Sequence, residues 1–528
     1  MPHQETRRAF IAHVALWAIL AAPSLWMLAT VPPLWKDIDA YLQVTRPPDF
    51  ITIIHYGPGY CFGARLPLYL GTALECLRNG SPLPSLHFFA EPTLTDGGVR
   101  MLLWWQHAAL WCASWLVITG ATRSLALRLA LAVLWAANPL FYVCAQLVGT
   151  EALSVILLLL LAGTGIRLAL RGQHRSRLSW AAFILLAAGS MLTRHVNGVV
   201  AALLPIAFGG AALARLVVAW RQRNPRARRW LQRHALQNAR LACVAIAAGV
   251  AAILLAQGVI RLGCRAAGVP YHQRVGFSFQ WRLNFLGPLT QKQREPVLAR
   301  AAAHCQSAGC RSLLDTLRTM PVTTEKFDTD ELERRWRAGL PPDIADSVEE
   351  SDAILNEAAR AFLIAPSRPY LRAVAADCLA ALRTTAAAID QQFLRSTAYG
   401  FAAPERMPQL AGLETYRNEG NRAYLARLLK HPYLARWHWS YRRLLLITSL
   451  LGVIVPFGRG RWNPERLSYT VALLVVGFLS VLGNNLFNEL QTRYTLPAWV
   501  LGIVALTLVF AAAISAFRMR GRTRTRAQ

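Results

Sequence analysis

Residues 225–260 read PRARRWLQRHALQNARLACVAIAAGVAAILLAQGVI, and the break at Arg240 decides the fold. Arg226, Arg228, Arg229, Arg233 and Arg240 precede a run, 241–260, with no charged side chain. A bilayer core about 30 Å thick is crossed by an apolar helix of about 20 residues, and Lys and Arg gather on the cytoplasmic flank of such helices. This stretch therefore predicts a membrane span with an arginine-rich root.

Working outward, further apolar runs fall near 9–31, 101–119, 125–147, 151–170, 179–193, 196–214, 444–458, 467–487 and 494–517. If Arg7 and Arg8 lie in the cytoplasm, alternate connections on that side carry Arg123 and Arg128, the group from Arg167 to Arg177, Arg215 to Arg240, Arg459 to Arg466, and the tail from Arg518. Only Glu5 and Glu465 oppose these cations, so the other acidic residues fall on the far side. Hydropathy and charge thus predict an all-α polytopic membrane protein of about ten transmembrane helices. Both termini are then expected on the cytoplasmic side and the large loops on the outer side. The first run, about 22 residues, exceeds the 7–15 of a signal-peptide core and reads as a retained span.

Three regions follow. Residues 1–260 form a membrane domain of about seven spans, with a first outer loop at 32–100. Residues 261–443 are soluble in composition, with helices expected at 292–304, 330–338, 347–364, 369–395 and 418–430, punctuated by prolines. Residues 444–528 add about three spans and a basic tail. No fixed-period repeat supports a solenoid. In the first loop, Pro67 to Leu77 lies between Arg65 and Arg78, a pattern suited to an interfacial helix with both charged tips in water. His431 to Arg443, aromatic and basic, reads as a second membrane-surface helix.

The formal charge of +29, carried almost wholly by arginine, does not point to nucleic acid. These arginines flank spans, where they meet an anionic leaflet, and no zinc-finger or RNA-binding motif accompanies them. Membrane lipids are the expected partners. Cys112, Cys144 and Cys243 lie within spans, while Cys61, Cys76, Cys264, Cys305, Cys310 and Cys378 lie outside. Cys305 with Cys310 is the first pairing expected. No metal site is assigned, because this pair has no second pair and no His at ligand spacing beyond His304.

Residues able to carry chemistry sit in the outer turns. KDIDAY (36–41) holds Asp37 and Asp39, which share a face on a strand but not on a helix. IIHYGPGY (53–60) holds His55, and TRHVN (193–197) holds Arg194 and His195. ELQTRYTLPAW (489–499) holds Glu489, Arg493 and Tyr494. Glu489 and Arg493 have the spacing of an ordinary helical ion pair. Glu151 opens the fourth span, where the helix dipole alone accounts for an acid. Gathered at one end of a bundle, a carboxylate can take the proton of an attacking hydroxyl while guanidinium groups hold a departing phosphate. That chemistry suits sugar transfer from a lipid-phosphate carrier.

These stretches resemble elements of the GT-C superfamily of polytopic glycosyltransferases, which includes protein O-mannosyltransferases and the lipid A aminoarabinose transferase. Asp37 and Tyr41 match the family's Asp-Glu-x-x-Tyr element, with Ile38 in place of Glu and Asp39 supplying a carboxylate one position later. TRHVNGVVAALLP is similar to the family's Arg-containing turn, and Arg493, Tyr494 and Pro497 match its late Arg-Tyr-x-x-Pro element. The resemblance implies inverting transfer from a polyprenyl-phosphate-linked sugar to a glycan, lipid or protein acceptor on the periplasmic side of a bacterial inner membrane, with the large loops in the periplasm. It makes Asp37 the base, Asp39 a second acidic contact, and Arg194 and Arg493 the phosphate binders. Tyr41, His55, His195, Glu489 and Tyr494 are then further substrate contacts. No redox cofactor is required. Two other readings stand beside it: a transporter or flippase of lipid-linked saccharide, and an oligosaccharide polymerase or ligase using outer-loop arginines.

Overall fold

The computed structural model describes residues 2–35, 38–271, 276–323, 327–397, 427–428, 430–435, 439–457 and 463–524. Among them, 7 helices are long and apolar enough to cross a membrane, or 8 if a bent pair counts as one span. The chain is an all-α, multi-pass membrane protein. The bent pair is α6 (Leu125–Ala136) and α7 (Pro139–Ala145), set at 63° to one another. Pro139 supplies no N–H to continue α6, and Asn138 caps α7 by accepting from the Leu140 amide at 3.2 Å. Two further helices, Arg177–Thr193 (α9) and Tyr441–Phe457, have 17 residues each. Each reaches about 26 Å, just short of the hydrocarbon core.

The quoted stretch is the first part of α11 (Pro225–Ala267), which is 43 residues long. Asn224 caps its start and Gly268, at φ 69°, ends it. At about 65 Å it is twice the span of a bilayer, so its basic first turns extend past the apolar part.

Residues beyond the membrane helices have a core of their own, built on Phe279, Leu298, Leu313, Trp336, Phe362 and Tyr370. Its helices are α13 (Gln291–Ala302), α14 (Ala308–Thr319), α15 (Thr329–Ala338), α17 (Val348–Ile364) and α18 (Arg368–Ala381), followed by α19 (Ala386–Arg395). Helix α14 was not expected from sequence. The helix expected at 369–395 is instead two, because Thr385 adopts an extended conformation and caps α19 through the Ala388 amide. The one expected at 418–430 lies outside the described residues apart from 427–428 and 430. Cys305 and Cys310 are joined in a disulfide. The Glu357 carboxylate accepts from the Ser307 amide at 2.9 Å beside it.

Two local expectations need correcting. Helix α4 (Arg65–Asn79) leaves Leu66, Leu70, Leu74 and Leu77 exposed along one stripe, as an interfacial helix requires. Its Arg65 tip, however, is buried rather than in water. The guanidinium donates to the carbonyls of Cys61 (3.0 Å), Arg46 (2.7 Å) and Phe89. It thus pins three turns of the first loop together. The start of His431 to Arg443 packs inward: His431 lies 5.2 Å from the Trp26 ring, and the Tyr433 hydroxyl donates to Ala136 O at 2.7 Å. Aromatic rings with a polar handle find that partner in the bundle instead of at the membrane surface.

Candidate active site

Two strands of two residues each set the site. After α1 (Pro2–Thr30) the chain runs through β1 (Leu34–Trp35), which pairs in parallel with β2 (Leu147–Val148) in the register Leu34 to Leu147 and Trp35 to Val148. This lays the start of α2 (Ile38–Thr45) beside the start of α8 (Thr150–Leu170). The buried amide of Gln106 clamps the β2 segment by donating to Ala145 O (2.8 Å) and Leu147 O (3.0 Å). Tyr60 accepts from the Gly149 amide at 2.8 Å, and Gln43 accepts from the Thr150 amide at 3.1 Å. The first N–H groups of α8 are satisfied in this way and the helix end is held against α2.

The turn carrying His55 is fixed by glycine. Gly57 has φ +87°, and a Cβ there would stand 2.4 Å from Leu192 O. Only glycine combines that left-handed backbone with so close an approach. Helix α3 (Pro58–Gly63) consequently packs on α9, and His195 Nε2 lies 3.1 Å from Ile54 O. With a carbonyl as partner, that nitrogen carries the proton.

These segments enclose a cavity of about 420 Å³, within the roughly 300–1,000 Å³ usual for small-molecule sites. Its charged walls are Asp39, Glu151, Arg194 and Arg493, with His55, Tyr56 and Tyr494 between them. Helix α12 (Gly276–Arg282) adds Trp281, α19 adds Gln392, and Ser396 follows directly after α19. The Tyr56 hydroxyl donates to Asp39 Oδ1 at 2.9 Å.

Glu151 Oε1 lies 3.6 Å from Nη1 of Arg194 and 3.6 Å from Nη1 of Arg493. Its side chain is 2% exposed, and those of the arginines 11% and 10%. Both guanidinium groups also approach the Tyr494 ring, at 5.7 and 5.0 Å from its centroid, favourable cation–π positions. The separation of 3.6 Å is an ion contact and too long for a hydrogen bond. Arg194 Nη1 is buried and donates to no hydrogen-bond partner among the described residues. A buried charged donor left in this state is costly, and an anionic oxygen in the cavity satisfies it.

Of the residues expected from sequence, Asp39, His55, Arg194, Arg493 and Tyr494 line this cavity. Asp37 lies outside the described residues. Tyr41, His195 and Glu489 do not line it. Tyr41 packs against the apolar cluster that includes Trp35 and Leu68, because on a helix it points away from Asp39 and Gln43. His195 braces the His55 turn. The helical pair expected between Glu489 and Arg493 does not arise, since residues 488–491 are not helical. Glu489 instead accepts from Asn284 Nδ2 at 3.3 Å, and Arg493 turns to Glu151. Glu151 was weighed from sequence but given no site role, because its place in the first turn of α8 had an adequate local explanation. No family model, curated protein or solved structure matches the chain.

Proposed function

We propose that the cavity transfers a sugar from a polyprenyl-phosphate donor to an acceptor hydroxyl. The observation that carries this reading is the buried Nη1 of Arg194, which has no hydrogen-bond partner among the described residues and shares the cavity with a carboxylate on a separate wall. The phosphate of the donor bonds to Arg194 and Arg493, which present planar guanidinium donors suited to paired contacts with phosphate. Glu151, between them, fixes their separation.

Asp39 takes the proton of the acceptor hydroxyl. The hydroxyl oxygen bonds to the anomeric carbon, the bond from that carbon to the phosphate oxygen breaks, and its electron pair leaves with the polyprenyl phosphate. The anomeric configuration inverts. The two arginines stabilise the charge that develops on the leaving oxygen. Asp37, which the family resemblance favours as base, stands two residues before Asp39. Separate variants assign the role. The periplasm is the proposed compartment, since the cavity lies at the end of the bundle away from the arginine-rich connections.

The test is reconstitution in proteoliposomes with a panel of radiolabelled polyprenyl-phosphate hexoses and pentoses. The expected result is a covalent glycosyl product of inverted configuration together with free polyprenyl phosphate. Solute counterflow without a covalent product overturns the reading in favour of transport.

A further inference from the structure

Helix α8 begins at the proposed site and ends, about 30 Å away, at a second cavity. This one, open on one side, has a volume of about 340 Å³ and is lined by Arg123, Arg128, Arg167 and Arg171, with His13 and Trp115. Among the described residues, no acidic side chain lines it. It is a built site. Arg171 donates through Nε to Gly120 O at 2.8 Å and through Nη2 to Thr119 O at 3.2 Å, and Arg128 Nε donates to Thr122 O at 3.0 Å. Arg167 stands 5.7 Å over the Trp115 ring, which itself stacks on Trp17.

The charged side chains that act on Arg171 are all cations. One of them, Arg466, donates to Ala121 O at 3.4 Å. Burial lowers the proton affinity of Arg171 first, and Arg123, Arg466, Arg128 and Arg167 lower it further. Glu465, next to Arg466 in sequence, is already engaged by Arg215 (3.0 Å to Nε) and Asn238 (3.2 Å). Guanidinium groups held this close by carbonyl contacts repel one another, and a multiply charged anion reverses that cost. Beside His13 on α1, Phe10, Ile11 and Val14 are exposed, which places acyl-chain surface next to the cationic cavity. Basic pockets between membrane helices with such flanks suit phosphate headgroups.

We propose that this cavity binds the headgroup of an anionic lipid bearing two phosphates, at the arginine-rich end of the bundle. The proposal is independent of sugar transfer.

The probe is native mass spectrometry of the full-length protein with cardiolipin, phosphatidylglycerol and phosphatidylcholine, alongside thermal shift with inorganic pyrophosphate. Arg123→Gln with Arg167→Gln removes two cavity charges. Arg175→Gln with Arg177→Gln removes two exposed charges from the same end without touching the lining. Arg123→Gln alone, at an exposed position, leaves the packing on Trp115 intact. The expected result is preferential retention of cardiolipin, weakened about tenfold or more by the cavity pair, in part by Arg123→Gln, and unchanged by the control pair. Equal losses in both pairs, or equal retention of phosphatidylglycerol, overturn the proposal. Stabilisation by pyrophosphate with no lipid retained overturns the lipid source.

Discussion

The Glu151 carboxylate lies 3.6 Å from the Arg493 guanidinium, tying the first turn of α8 to the turn that precedes the last membrane helix. Because Arg194 meets the same carboxylate oxygen, one acid holds two cations supplied by two other segments. Removing the acid leaves two buried positive charges facing each other. Glu151→Gln is therefore expected to destabilise the protein by about 3–5 kcal/mol, the cost typical of breaking a buried pair. Thermal unfolding in detergent measures it, and a change under 1 kcal/mol contradicts a bridging role.

The two carboxylates of KDIDAY have separable effects. Asp39→Asn keeps an oxygen to accept from Tyr56 and is expected to retain the native melting temperature while lowering transfer by about 10²–10⁴-fold, the usual contribution of a general base. Asp37→Asn, assayed beside it, gives a smaller loss. The reverse order moves the base to Asp37.

Asp390 on α19 is fully buried, and neither of its carboxylate oxygens meets a hydrogen-bond partner among the described residues. Burial raises its pKa well above the ordinary carboxylate value. A raised acid binds its proton more tightly in the folded state, so its contribution to stability is complete below the unfolded value of about 3.9. It is lost as pH rises through the folded value. Melting temperatures recorded from pH 4 to 9 are expected to fall for the native chain and to fall less for Asp390→Asn. Parallel curves contradict this.

At Gly57 the expected effect is on both fold and activity. Gly57→Ala meets a left-handed backbone and the carbonyl of Leu192. It is expected to cost more than about 1 kcal/mol and to lower donor affinity by displacing the His55 turn. An unchanged melting temperature indicates that α3 and α9 are not locked together there.

The membrane helices were legible in the sequence because long apolar runs bounded by arginine have few other uses, as residues 225–260 illustrate. The side chains that the site draws together were legible only where an unusual residue marked them, as with Arg194 and Arg493. Glu151 was noticed but given no role, because a helix start explains an acid without any partner. Gln43, Trp281, Gln392 and Ser396 escaped because each is an ordinary residue in its own segment, and only the fold brings them to one cavity. Tyr41 and Glu489 were misplaced for a local reason: the motif gives spacing, but α2 turns Tyr41 away and the non-helical 488–491 segment redirects Glu489.

Phosphate binding between the two arginines is tested by a cryo-EM map of the protein in nanodiscs with polyprenyl phosphate. Phosphate density is expected within hydrogen-bond distance of both Arg194 and Arg493, with the polyprenyl chain leaving toward the bilayer. Phosphate bound elsewhere, with that cavity holding only water, contradicts it.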